Sequence, residues 1–331
     1  MANERKTESL VRDWLRAQGY FDDDRVRIEE QKSDNPRIAK LLKQASKKGS
    51  GVGQPEFIIS TAQYPDLVIV IECKADVSRH RSPDFSQPVA YACDGALHYA
   101  SYLCKEFDVI AIGVSGETAQ EVLVSHFLCL RAAFAVNAFV GDKILAIKDY
   151  YQAYITSPEK FNQDYEALLS YSQDLNERLH KLKVKESQRS LLLSGILISL
   201  QNRAFRIGYA SSRNAEELSS NLVNTIVNEL KHDGIDRARI QNLRNAYAWI
   251  STHTILSRDM RELVDLISEV DDRVNGFMRT HEYFDTIGQF YIEFFALRQQ
   301  RQRPGYRSHP SSYYRTLCRL GPGKRPECRL G

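Results

Sequence analysis

Apolar residues run in short blocks through the first half of the chain and recur at helical spacing through the second. Phe57-Ile58-Ile59 and Leu67-Val68-Ile69-Val70-Ile71 are blocks of strand length, and Ala62-Gln63-Tyr64-Pro65 between them has turn chemistry, so the pair reads as a hairpin. Asp108 to Val114 and Glu121 to Phe127 are strand-like again, after a helix that ends near Glu106. Thr7 to Leu15 reads as a first helix. From about Ser157 the period changes: Leu168, Leu175, Leu179 and Leu182 lie at helical spacing, and an apolar run follows from Leu191 to Leu200. Residues 221–231, 242–250 and 260–270 each place apolar residues on one helical face. The pattern predicts an α/β sheet flanked by helices over residues 1–157 and an all-α domain over 158–295. Residues 296–331, rich in Arg, Pro and Gly, follow neither period.

The polar residues set into the hairpin carry the chemistry. Side chains two apart on a strand leave the same face, so Glu72 and Lys74 emerge together while Cys73 faces away. Glu56 opens the preceding strand, and the hairpin brings it beside Glu72. Two carboxylates and a lysine then converge, with the backbone carbonyl of Cys73 as a further oxygen. Hard divalent cations take such oxygens, usually one or two protein carboxylates with retained waters, so Mg2+ is the expected cofactor and Mn2+ is equally acceptable to these ligands. Asp66, in a literal Pro-Asp, is rejected as the first acid, because extended chain at about 3.3 Å per residue puts it roughly 20 Å from Glu72. Glu-x-Lys after an apolar strand also occurs as a solvated strand end, and context decides between the two.

That context is a resemblance to the PD-(D/E)xK nuclease superfamily, and more narrowly to the amino-terminal cleavage domains of type I and type IIG restriction enzymes. Four stretches carry it: Ile28 to Lys32, Gly53 to Ile59, Ile71 to Asp76, and Gln87-Pro88-Val89-Ala90-Tyr91, which looks like the Q-x-x-x-Y element of such nucleases. The resemblance covers about the first 150 residues. It implies a restriction-endonuclease-like mixed sheet, metal binding at Glu56 and Glu72, the catalytic lysine role for Lys74, and a supporting or DNA-contacting role for Gln87 and Tyr91. Glu56 stands where most of the superfamily has aspartate. An acid on the first helix often completes these sites, and Glu8 is the candidate, although a glutamate in a helix's first turns is also favoured by the helix dipole. If the Gln87 stretch opens a helix, Gln87 and Tyr91 share one face. A core tyrosine with a surface glutamine would present the same letters.

Composition narrows the class. The chain has 331 residues, 43% hydrophobic and 26% charged, with formal net charge +3. No run of about 20 apolar residues could span a membrane and the start is polar, so a cytoplasmic protein without a signal peptide is expected. Six cysteines form no C-x-x-C pair and are expected as reduced thiols. Charge is mixed, but Lys43, Lys47 and Lys48, with Arg79-His80-Arg81, flank the acids in sequence and are candidate phosphate contacts to double-stranded DNA. The helical half resembles the connector that joins nuclease to adenine methyltransferase in type IIG enzymes. Neither an Asn-Pro-Pro-Tyr motif nor a glycine-rich S-adenosylmethionine loop occurs here, so no S-adenosylmethionine site is expected and the methyltransferase and target-recognition domains belong to an intact relative. A repair nuclease of the RecB kind and a catalytically silent interaction or DNA-binding module are the alternatives.

The last residues suggest why those domains are missing. Back-translating Gln299 to Leu330 and reading one nucleotide later can yield a segment resembling the entrance of an adenine methyltransferase. A frameshift near Phe295 that cuts a bifunctional enzyme down to its nuclease and connector is the expectation. Sequencing the gene checks it, because the codons actually used must spell that second frame.

Overall fold

A computed structural model describes residues 3–282 apart from residues 48, 50 and 233–236. The chain divides into two compact units, the first ending at Gln163 and the second beginning at Asp164. The tail from residue 296 lies outside the described residues.

The first unit runs α1 (Glu4–Ala17), β1 (Val26–Glu29), α2 (Pro36–Leu42), β2 (Phe57–Thr61), β3 (Leu67–Lys74), α3 (Ala92–Leu103), β4 (Asp108–Ser115), β5 (Leu123–Leu130), β6 (Ala133–Ala138) and α4 (Ile147–Ile155). The strands form one sheet in sequence order. The hairpin expected from the apolar blocks is present, with Phe57 opposite Ile71 and Ile59 opposite Ile69. Strands β3 and β4 are parallel, Leu67 beside Asp108 and Glu72 beside Gly113, while the other pairings are antiparallel. A parallel pair needs a crossover, and α3 supplies it. The sheet is therefore mixed, as expected.

Period-two alternation sorts β3 between two cores. Val68 and Val70 pack with Ala96, Leu97, Ala100 and Leu103 of α3 and with Ile38, Leu41 and Leu42 of α2. Leu67, Ile69, Ile71 and Cys73 pack on the opposite face with Val11 and Leu15 of α1 and Tyr150 and Tyr154 of α4. Glu72 thus continues the α3 face of the strand. Sequence reading missed β6, whose Ala-Phe-Ala-Val-Asn-Ala has few of the branched residues that mark strands. It also missed β1, too short at four residues to show a period.

The helices that follow are α5 (Pro158–Lys181), α6 (Glu186–Ser199), α7 (Arg203–Gly208), α8 (Ala215–His232), α9 (Arg237–Tyr247), α10 (Met260–Val270) and α11 (Gly276–Thr280). Leu168, Leu175 and Leu179 are buried from α5, and Leu263, Leu266, Ile267 and Val270 from α10. The expected helical face over 242–250 does not persist, because α9 ends at Tyr247 and tightens into a 3-10 turn at Ala248–Thr252. Arg178 of α5 donates to Glu262 and Glu269, so α5 and α10 are clamped by charge as well as packing. No helix among the described residues is long and apolar enough to cross a membrane.

Gly113 marks the closest approach of α3 to the sheet: a Cβ there would lie 2.7 Å from the Cys93 backbone nitrogen. Since backbone cannot swing aside as a side chain can, Gly113→Ala should cost about 1–3 kcal/mol. Urea denaturation of the full chain checks this, and an unchanged midpoint would show that α3 is free to lift.

Candidate active site

Hairpin register builds the site. With Phe57 opposite Ile71, the next residue outward, Glu56, falls beside Glu72, and the Cys73 backbone N–H donates to Glu56 Oε2 at 3.3 Å. In a strand the N–H and C=O of one residue leave by the same edge, so the Cys73 carbonyl also faces the Glu56 side. Asp66 lies at the other end of β3, 3.9 Å from Arg37 and 4.0 Å from Arg131, which agrees with its rejection as a site acid.

Glu72 is fully buried. Its Oε1 accepts from Lys74 Nζ at 3.2 Å and from Lys47 Nζ in a closer contact. Its Oε2 has no donor. Gly95 of α3 presses on it, since a Cβ there would come within 2.9 Å of Glu72 Cγ and 3.0 Å of Cδ. Only glycine lets α3 pass so close to a glutamate stem.

Two ionised carboxylates this near one another, out of water, repel strongly. Burial and then the Glu72 charge push the Glu56 carboxyl well above the usual carboxylate range. Glu56 therefore keeps a proton when no cation is present, and that proton can be shared with the donorless oxygen of Glu72. Burial alone would lower the Lys74 ammonium, but Glu72, Glu4 and Glu56 together raise it, so Lys74 stays charged. The Cys73 thiol is raised by burial and then by Glu56 and Glu72, which keeps it protonated and inert.

Several expected residues are placed differently. The first-helix acid in contact with Lys74 is Glu4, at 3.1 Å, rather than Glu8 one turn later, which is half-buried and makes itself felt as a charge near Cys73. Gln87 and Tyr91 do not share a helical face: residues 88–90 form turns and α3 begins only at Ala92, with Tyr91 extended at its N-cap. Pro88 explains this, because a proline disfavours helical backbone in the residue before it. Gln87 is exposed and its backbone N–H donates to Asp94, while Tyr91 lies under the Arg79 guanidinium. Of the basic clusters, His80 is held between Ser115 Oγ and Ser125 Oγ at 2.8 Å each, and burial followed by Arg81 lowers its pKa, so it is a neutral packing residue. Lys48 lies outside the described residues. Lys47, expected only as a phosphate contact, is in the site itself, 25 residues from Glu72 in sequence. Cys73, Cys93, Cys104 and Cys129 are free thiols, as expected.

The donor set fits a hard divalent cation. Glu72 offers a fully buried oxygen without a donor, Glu56 a second carboxylate beside it, and Cys73 a carbonyl on the same edge. Among the described residues no three His, Cys, Asp or Glu side chains converge as a ready metal cluster. Two carboxylates completed by backbone and water is the habit of Mg2+.

The fold and the site together define a mixed α/β unit with an acid pair and a charged lysine at the ends of its central strands. The chain is 24% identical over 322 residues to the type II restriction enzyme and methyltransferase RM.BcgI of Heyndrickxia coagulans, an alignment that takes in 89% of this chain and 49% of that protein. This similarity relates the chain to a restriction enzyme, of whose length it spans about half. No family model and no solved structure matches.

The acid pair has a pH signature. Because the folded pKa of Glu56 lies above its ordinary 4.5, the native state holds a proton that the unfolded chain gives up, so stability is fully present below that value and is lost as pH rises toward the raised one. Metal-free protein should therefore weaken steadily between about pH 5 and about pH 8, and Glu56→Gln should flatten the slope. Urea midpoints across that range measure it; parallel slopes for the two proteins would exclude the shared proton.

Proposed function

We propose that residues 1–157 are a PD-(D/E)xK endonuclease domain with a restriction-endonuclease-like fold, which hydrolyses phosphodiesters of double-stranded DNA with Mg2+ or Mn2+ and water as nucleophile. The observation that carries the reading is the buried Glu72 carboxylate beside Glu56, with one donorless oxygen and the other 3.2 Å from Lys74. A carboxylate buried without full compensation is costly, and active sites are where such groups are kept. The relationship to a restriction enzyme points the same way.

Glu56, Glu72 and the Cys73 carbonyl would hold the cation, which supplies positive charge for the phosphate and acidifies a bound water. Lys74, kept protonated and aimed by Glu4, serves as a donor to the attacking water or to a phosphate oxygen, and its charge rules it out as the base. Burial of Glu72 and Lys74 keeps bulk water away, which strengthens each of these contacts. Gln87, exposed where the chain enters α3, and Tyr91, beside Arg79, would contact DNA. Within a restriction-modification system of the type IIG kind, cleavage is this chain's share. Methylation is named in the matched relative and would belong, with target recognition, to other domains, and the cytoplasm is where such a system meets incoming DNA.

Plasmid cleavage by the purified chain tests this directly. Wild type should nick or cut DNA only with Mg2+ or Mn2+, and Glu72→Ala and Lys74→Ala should each lose about 100-fold or more of that activity. Folded variants that cut as fast as wild type would remove the site from these residues.

A further inference from the structure

Lys47 is the one group of the site that the cleavage chemistry above does not use. Its ammonium makes the closest contact to Glu72 Oε1, its side chain is 16% exposed, and it lies 4.9 Å from the centre of the Tyr99 ring. Lys74 touches the same oxygen but is also paired with Glu4, so Lys74 has its own counter-charge. Among the described residues, Glu72 is the carboxylate with which Lys47 pairs.

The two lysines differ in how they are mounted. Lys74 ends a central strand, and its ammonium is tied to Glu4 as well as to Glu72. Lys47 sits on the segment between α2 and β2, fixed on one side by the Ala45 carbonyl accepting from His98 at 3.2 Å and on the other by Gly53 N–H donating to the Leu42 carbonyl at 2.8 Å. Between those anchors Gly49 and Gly51 adopt φ of +80° and +96°, conformations open to glycine. A lysine on such a segment can withdraw its ammonium by rotating its own stem.

We infer that Lys47 is an exchangeable internal counter-ion: it neutralises Glu72 when no metal is bound, is driven from Oε1 by the charge of an entering divalent cation, and then pairs with a phosphate of the DNA backbone. The inference rests on the metal-dependent reading of the site. Oε1 already takes both ammonium groups, so a divalent cation at the donorless Oε2 would put three cations on one buried carboxylate, and their mutual repulsion favours the loss of one. Lys74 is also paired with Glu4, so Lys47 is the ammonium that gives way. The displaced ammonium stands beside the place where a scissile phosphate must lie, and phosphate is the anion available there.

Calorimetric titration of the full chain with Mg2+ alone, without DNA, tests the exchange in wild type, Lys47→Met, Lys47→Gln and Glu72→Ala. Removing the competing ammonium should tighten Mg2+ binding at least about tenfold in both Lys47 variants, while their metal-free melting temperatures fall and recover with Mg2+. Circular dichroism confirms which variants are folded, and Lys47→Gln keeps a neutral hydrogen-bonding end should Lys47→Met fail. Wild-type binding that Glu72→Ala abolishes, with Lys47 variants no tighter, would overturn the exchange and leave the metal site standing. Absence of Mg2+ binding in every protein would overturn both. With Ca2+ present to hold the site, Lys47→Gln should also lower the salt dependence of DNA binding by about one phosphate contact. An unchanged slope would overturn the phosphate half of the inference.

Discussion

The carboxylate of Glu72 is the constraint on which the rest of the first unit depends. It stands fully buried at the end of a strand whose preceding residues are all apolar, so a charge has been carried into a place built for methyl groups. Removing a carboxylate from water costs several kcal/mol unless cations and donors replace the solvent. Every nearby element makes a concession to that cost. The β2 end brings Glu56, α1 brings Glu4 to hold Lys74, the α2 to β2 segment brings Lys47, and α3 yields a side chain altogether at Gly95.

Topology makes the convergence possible. Because β3 and β4 run parallel, the chain must cross over the sheet between them, and α3 starts its return directly above the end of β3. The same crossover places Gly113 under the Cys93 backbone and Gly95 against the Glu72 stem, so one helix is seated by two glycines, one toward the sheet and one toward the site. An antiparallel hairpin on the other side of β3 supplies Glu56 by register alone. A mixed sheet thus offers its central strand two different neighbours, one that delivers a charge and one that delivers a wall.

How much of this the letters disclosed follows from the range of each interaction. The β2 and β3 blocks and the pairing of Glu56 with Glu72 were legible, because period-two alternation and a short turn leave little freedom of register. So were α5, α6 and α10, whose leucines repeat at helical spacing. Strand β6 was hidden by its alanines, and β1 by its brevity. The Gln87 and Tyr91 expectation failed locally, since spacing four apart implies a shared face only inside a helix, and Pro88 keeps Gln87 outside one. Glu4 and Lys47 were hidden for a different reason. Their partners lie at Lys74 and Glu72, and nothing in the residues between sets that distance before the chain has folded.

On the proposed metal-dependent reading, charge balance gives the two lysines different tasks. In the metal-free protein Glu56 keeps its proton, while Lys47 pairs with Glu72 and Lys74 pairs with both Glu72 and the exposed Glu4. A divalent cation added alone would bring two further positive charges into a low-dielectric space. Release of the Glu56 proton removes one of those charges, and withdrawal of Lys47 removes the other. Lys74 is the less suited to that second role, being already balanced by Glu4. One lysine mounted on a strand and another on a glycine-bearing segment therefore answer two requirements that a single residue could not meet: a cation that remains during the chemistry, and a cation that makes way for it.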